Sequence, residues 1–533
     1  MRDVIAALHL DQWVLPALLV WPLLGALLIF MFGRTALPGR DPGFAPWRDV
    51  RVLTMSVLIG EALMALGLWA IFDPTLTDWQ ARVDMPWIPE WGARVTLGVD
   101  GISLVMVLMT TLLMPLAVFA SWSNVTSKIR SYYGLLLILV TGMIGVFLSL
   151  DLLLFYVFWE LVLIPMYFMI GISGGKDRAR ASHKYFIAAF IGSLLMLVAI
   201  VAFWVAGGSR TFNYDALLVA TRGALSQSVQ TYLFLGFFLA FAIKSAFFPF
   251  HTWLPDAQHE APTSGAVALG VKVGTYGILR FALPFFPAAA LHPTVRVTII
   301  GLAVAGIIYG ALVAMVQPDF KKLVSYASVS HLGFVVLGIF ALTVQSIQGA
   351  MMVMIGHGVS LGALFLLVGM LQDRTGTGMI QRFGGIARIA PLFAASLLLA
   401  ALSTIGLPGT NGFVGEFLVL IGSYRVYPVA SVIATTGVVL AAVYLLWALQ
   451  RVIFNPHNPA ETGTVKDLDR REMVVMAAFA VAILWLGIAP APVLRRLEGP
   501  AARVVEQVTR DASSTASSAA LDHAPDRAPA AQP

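Results

Sequence analysis

The stretch Phe241-Ala-Ile-Lys244-Ser-Ala-Phe-Phe-Pro249-Phe-His251-Thr-Trp-Leu-Pro255-Asp256 joins two features that apolar segments seldom carry together. An apolar run enters it from Thr231, and Lys244 sits inside that run with Ser245 as its only polar neighbour. Pro249 removes a backbone donor and clashes one turn back, which predicts a broken helix. A lysine at the centre of a bilayer costs at least about 2.5–3.5 kcal/mol and is tolerated when it has a partner or lines a wet cavity. A helix broken at that depth carries the same condition, because its freed backbone groups must be satisfied. Charge and break together predict an ion-handling site. The plainer alternative is a lysine snorkelling from a helix end. Apolar residues extend well over two turns on its N-terminal side, which argues against it.

The surrounding chain has 533 residues, of which 59% are hydrophobic and 12% charged. A soluble domain carries about 25% charged residues. Its mean hydropathy is +0.85, so the chain reads as an all-α polytopic membrane protein. Cysteine is absent, which excludes disulfides, thiolate-held iron–sulfur clusters and Cys-ligated zinc. There is no G-x-G-x-x-G, and Gly174-Gly-Lys176-Asp177 lacks the glycine spacing and the Ser or Thr of a phosphate loop. No nucleotide, metal or redox centre is expected in this chain. The net charge of +6 comes from Lys and Arg in loops and does not point to nucleic acid. The first apolar stretch is as long as a full span and reads as retained, not as a cleaved signal.

Apolar runs long enough to span, roughly 20 residues each, predict about fourteen transmembrane helices, near 13–32, 52–72, 100–122, 132–150, 151–172, 184–206, 231–251, 263–286, 295–316, 321–342, 348–371, 391–424, 428–453 and 472–490. The twelfth run is too long for one plain helix, and Gly406-Leu-Pro408-Gly409-Thr-Asn-Gly412 predicts a second break in it. Helices 7 and 12 lie five spans apart and run in opposite directions, the pattern of two inverted five-helix repeats. The expected organisation is helices 1–3 over 1–131, a first repeat (helices 4–8) over 132–290, and a second (helices 9–13) over 291–455. A loop and helix 14 follow over 456–498, and a disordered tail, rich in Ala, Ser and Pro, over 499–533. Loops after odd-numbered spans hold most of the Lys and Arg, among them Arg34, Arg40, Lys176, Arg178, Lys321 and Lys322. The opposite side holds fewer, among them Arg82, Arg94 and Arg280. The odd-numbered loops are therefore cytoplasmic, and both termini face outward.

Inside the spans stand Glu160, Lys244, Lys272, His331, His357 and Glu416. Most lie about eight to thirteen residues into their spans, roughly 12–20 Å deep, the middle of a core about 30 Å thick. Ionisable groups at one depth on several helices form a row parallel to the membrane, where a pore would spread them over depth. They lack the close spacing of metal ligands, and proton handling fits them better. A lone intramembrane histidine is as often a packing residue as a functional one, whereas the cost of burial favours function for Glu160, Lys244 and Glu416. Glu61 and Asp100 read as structural.

Five motifs carry a resemblance: Leu97-Gly-Val-Asp100-Gly-Ile-Ser103; Trp159-Glu160 with Ile164-Pro-Met-Tyr167; Phe250-His-Thr-Trp-Leu-Pro-Asp256; Lys322-Leu-Val-Ser-Tyr-Ala-Ser-Val-Ser-His331-Leu-Gly-Phe334; and Gly406-Leu-Pro-Gly-Thr410 through Gly415-Glu-Phe417. Together the segment 95–425 resembles the antiporter-like membrane subunits of NADH-quinone oxidoreductase (respiratory complex I), of the M or ND4 type. The wider family includes subunits of multi-chain Na⁺/H⁺ antiporters and of membrane-bound hydrogenases. Glu416, where the related L and N chains usually carry Lys, and the absence of a long lateral helix after the last span favour the M type. The resemblance implies that Glu160 and Lys244 form the charge pair of an input half and that Lys272 connects the halves. It makes His331 and His357 part of a polar axis and Glu416 the output carboxylate. The stretch between Thr263 and Lys272 is shorter than the family pattern by about three residues, which turns a helix by about 300°.

The implied function is a proton-translocating subunit in a bacterial inner membrane, beside L-type and N-type neighbours and the lipid bilayer. NADH, FMN, iron–sulfur clusters and quinone would be held by other subunits of the translocase. The alternatives are a subunit of a cation/proton antiporter or hydrogenase, and a structural membrane scaffold.

Overall fold

The computed structural model describes residues 10–34, 49–76, 78–122, 124–206, 208, 210–269, 272–456 and 465–522. Its main helices are α1 (Leu10–Phe32), α2 (Val50–Ile71), α3 (Gly101–Ala120), α4 (Ile129–Leu148), α5 (Leu152–Ser173), α6 (Arg178–Ala206), α7 (Gln227–Lys244), α8 (Trp253–Glu260), α9 (Thr263–Ala268), α10 (Val273–Gly277), α11 (Pro293–Met315), α12 (Phe320–Ala341), α13 (Val344–Gly356), α14 (Gly362–Thr375), α15 (Pro391–Ile405), α16 (Asn411–Tyr424), α17 (Pro428–Leu449), α18 (Arg470–Ile488) and α19 (Ala491–Asp522), with the helix Tyr214–Ala224 between α6 and α7 and shorter turns elsewhere. Among the described residues, twelve helical segments are long and apolar enough to cross a membrane. The expected seventh and twelfth segments are each in two pieces, α7 with α8 and α15 with α16. The helix ends fall at Lys244 and Ile405, a few residues before Pro249 and Pro408, where the proline ring would meet the preceding turn.

Short polar residues start the spans. Asp100 accepts from the Ser103 N–H at 3.0 Å, Asp151 from those of Leu153 and Leu154, and Asp319 from that of Lys322 at 3.0 Å. Thr343 with Ser346 and Asp469 with Glu472 close capping boxes. Burial is greatest in α12, α13, α14 and the segment Thr263–Phe285 that holds α9 and α10, which form the interior. Spans such as α1, α2, α6, α17 and α18 turn one face inward and leave large apolar side chains exposed, as lipid-facing helices do.

Several expectations are corrected. The helical membrane fold is as expected, and a two-stranded antiparallel hairpin that the sequence did not suggest, β1 (Gln80–Ile88) with β2 (Ala93–Val99), stands outside the spans. Of the 499–533 segment, expected to be a disordered tail, the described residues to Asp522 are helical as part of α19, and 523–533 lie outside the described residues. Val493, Leu497, Ala501, Val504 and Val508 are buried along one stripe of it. Composition suggested disorder, but these residues recur at helical spacing and have α3 and α13 to pack on. At the start of α3, a Cβ on Gly101 would lie 1.7 Å from the Arg496 carbonyl oxygen, so glycine permits this docking.

Two basic residues assigned to loops are buried. Arg280 lies in a π-helical turn, Ile278–Ala282, and pairs with Asp100 at 2.6 Å. Lys321 donates to the carbonyls of His259 and Ala261 at 2.9 and 2.7 Å. The eighth span is not one helix: Lys272 stands between α9 and α10 with non-helical backbone (φ −88°, ψ 60°).

Candidate functional site

Lys244 is the last residue of α7. Its Nζ lies 5.3 Å from the Trp159 ring centroid and 5.9 Å from that of Tyr185, a cationic group held against aromatic faces. The broken backbone is satisfied locally. Trp253 Nε1 donates to the Ile243 carbonyl at 2.8 Å, and Ser245 Oγ to that of Phe241 at 2.8 Å. Glu160, on α5, is half-buried, and its Oε1 has no hydrogen-bond partner among the described residues. No ion pair within 4.0 Å joins Glu160 to Lys244 among those residues, so the pair is not in contact. The Glu160 charge acts on Lys244 through space.

Lys272 is buried and faces the same cavity as Lys244. Tyr185, Ser245, Trp253 and Gly274 complete its polar and close-packed side, and among the described residues no carboxylate lines it. The cavity volume is about 30 Å³, room for about two waters. Close backbone contact brings the lysines together. A Cβ on Gly274 would stand 2.6 Å from the Phe241 carbonyl oxygen and 2.7 Å from the Ser245 nitrogen.

Beyond Lys272 the row continues. The Lys272 and His331 charges both act on His357. His357 opens a second π-helical turn, His357–Leu361, and its ring centroid is 6.4 Å from that of His331. His331 Nδ1 meets Glu416 Oε1 at 3.0 Å, with both side chains less than one-tenth exposed. Glu416 sits in the second turn of α16, after the break in which Gly406 and Gly409 take φ of 86° and 91°. Its carboxylate fills the space beside Gly406, where a Cβ would be 2.9 Å from Oε2. His331, His357 and Glu416 line one cavity of about 20 Å³ with Ser360, Ser403 and Thr404. Both ring nitrogens of His357 and Nε2 of His331 are buried there without protein partners among the described residues.

The motif pattern described as "NADH:quinone oxidoreductase/Mrp antiporter, TM" matches residues 149–441, more than half of the chain. The chain belongs to this family. Within the NADH:quinone oxidoreductase/Mrp antiporter family it is 41% identical to NADH-quinone oxidoreductase subunit M of Rhodobacter capsulatus over 492 residues, 90% of this chain and 95% of that one. It is 39% identical to subunit M of Escherichia coli K12 over 501 residues, again 90% and 95%. A chain of respiratory complex I from Thermus thermophilus with bound NADH superposes with a TM-score of 0.83 at 32% identity, covering 93% of this chain and 99% of that one. Antiporter-like architecture, membrane-subunit partners and a multi-pass membrane location follow from these matches.

Five of the six residues read from the sequence line two cavities, and Glu160 lines neither. Lys244 and Lys272 line the first, His331, His357 and Glu416 the second, and Glu160 acts on the first from α5. Sequence reasoning missed the aromatic walls Trp159 and Tyr185. It also missed a hydroxyl–amide cluster beside Glu416. Ser360 Oγ contacts Ser403 Oγ at 2.8 Å, and both hydroxyls donate to Asn411 Oδ1, at 3.0 and 2.5 Å. The signal for these was weak, because Ser and Thr also bond to the preceding helical turn and are tolerated in apolar helices. Asp100, read as structural, caps α3 and pairs with Arg280, whose guanidinium also lies 4.7 Å from the Trp79 centroid. Glu61 is fully buried with neither carboxylate oxygen partnered among the described residues.

Proposed function

We propose that this chain is the proton-translocating, M-type membrane subunit of an NADH-quinone oxidoreductase. NADH oxidation, quinone reduction and the FMN and iron–sulfur centres belong to other subunits, and this chain holds no redox centre. The observation that carries the reading is the succession of two small cavities, with Lys244 and Lys272 in one and His357, His331 and Glu416 in the next. A lysine pair in a cavity without a carboxylate cannot cheaply hold two protons, because like charges repel strongly where water is scarce. Glu160 supplies the charge that favours a proton on Lys244. When a neighbouring chain draws that charge away, the Lys244 proton passes through cavity water to Lys272. Protonation of Lys272 then acts on His357, and the proton reaches the His331–Glu416 pair, whose Nδ1 and Oε1 are 3.0 Å apart. The Ser360–Ser403–Asn411 cluster holds the wall of that cavity in place.

The chain works beside L-type and N-type neighbours in a bacterial inner membrane, with both termini on the outer face. The segments 132–290 and 291–455 act as inverted halves, the first taking protons in and the second passing them on. The test uses assembled complexes in sealed vesicles, with NADH-to-quinone turnover and proton transport followed together. Lys244→Ala and Glu160→Gln abolish or severely reduce both, and Glu160→Asp keeps part of the activity. Near-wild-type pumping by assembled Lys244→Ala complexes would refute the mechanism.

A further inference from the structure

An apolar groove runs between α2, α3 and α18, outside the ionisable row. Its volume is about 220 Å³, larger than the roughly 150 Å³ apolar cavity that admits benzene. One end is rimmed by Trp69, in the last turn of α2, and Val493, at the start of α19. The other reaches Val359, two residues after His357 on the same π-helical turn. Along α3 the lining runs from Val105 to Leu116, about 16 Å of helix rise. That is one leaflet of a hydrocarbon core about 30 Å thick. At the rim the Arg496 guanidinium stacks 3.7 Å from the Trp69 centroid. Its other contacts are backbone carbonyls, those of Pro492 and Trp69 at 2.9 and 3.4 Å. Among the described residues no carboxylate lies within 4.0 Å of Arg496, and its buried Nε has no partner.

We propose that the groove is a binding site for one anionic phospholipid of the leaflet on the C-terminal face of the chain. An acyl chain lies along α3 down to the His357 turn, and the phosphate is held by Arg496. Groove length matches a single leaflet, the lining is apolar, and the mouth carries a cation without an anionic partner. A free phosphate satisfies only the last of these, and a neighbouring helix would bring no phosphate to the arginine. The site rests on the chain spanning the membrane and not on the proton-transfer reading.

The probe is phosphatidylglycerol or phosphatidylcholine carrying a photoactivatable diazirine midway along one acyl chain. Each is supplied in vesicles to the assembled complex, and covalent labels are mapped on the peptides that hold Leu66 and Leu112, both exposed on the groove wall. Phosphatidylglycerol labels these peptides roughly tenfold more than phosphatidylcholine, because both offer a phosphate but the choline cation offsets its charge and is repelled by Arg496. Arg496→Gln removes the preference and Arg496→Lys retains it. Leu112→Trp, a substitution on the exposed wall, blocks labelling by both lipids. Equal labelling by the two lipids in the wild-type complex would overturn the proposal. So would labelling indifferent to Leu112→Trp, or a groove that yields only cross-links to a neighbouring subunit.

Discussion

The His331–Glu416 contact allows a quantitative test of the row. The two groups are 3.0 Å apart with both side chains almost fully buried. Unit charges at that separation attract by about 5.5 kcal/mol at an effective dielectric of about 20. The net value of a hydrogen bond to a charged group is smaller, about 1.5–3 kcal/mol, because desolvation offsets part of the attraction. A loss of that size shifts the distribution of a proton between neighbouring sites by about 10- to 150-fold. Glu416→Gln keeps the shape and removes the charge, and His331→Gln removes the titratable ring. Each single variant is expected to slow coupled NADH-to-quinone turnover by about that factor, with proton transport falling in parallel. The double variant should lose no more than the worse single, because two groups that share one proton act as a unit. Assembly is checked by native electrophoresis, and NADH oxidation with an artificial acceptor should be unchanged. Losses that multiply in the double variant would show two independent sites and refute the shared-proton reading.

Truncation after Pro500 removes the buried Val504 and Val508 from α19, worth about 1.5–3 kcal/mol each; the complex should assemble poorly and melt at lower temperature, and full assembly would show that this packing is dispensable. Gly101→Ala places a methyl group against the Arg496 carbonyl oxygen and should raise protease sensitivity of the α18–α19 junction without altering expression. Asp319 is buried, which alone would raise its pKa, but the His259 ring, its Nδ1 3.3 Å from the carboxylate, and the Lys322 N–H outweigh burial and hold it below the ordinary carboxylate value. Its contribution is therefore present above the unfolded pKa and lost as pH falls through the lower folded one. Asp319→Ala should cost about 1 kcal/mol as a lost helix cap near neutral pH, and the difference from wild type in thermal melts should shrink below about pH 4.

Much of the site was legible because an intramembrane charge is costly enough to stand out against apolar neighbours. Glu160, Lys244, Lys272 and Glu416 announce themselves in runs of Leu, Val and Phe. Pro249 and Pro408 mark the breaks because proline is incompatible with the turn before it. Hydropathy likewise revealed the spans, because a helix in lipid must satisfy its own backbone and show apolar side chains.

What the sequence alone could not decide is which of these groups meet. Lys244 and Lys272 share a cavity because Gly274 lets two backbones approach, a contact between residues in separate helices. His331 and Glu416 touch, whereas Glu160 and Lys244 do not, although one-dimensional spacing treats the two pairs alike. Arg280 reads as a loop cation and proves to be buried, because Asp100 lies opposite it after folding. The C-terminal segment reads as disordered by composition and becomes a packed helix, because α3 and α13 offer its small apolar stripe a surface. Local chemistry determined which residues are costly to bury and where helices must stop. Tertiary packing decided which of those costs are met by a partner, a cavity or an aromatic face, since that depends on distances between helices remote in the chain.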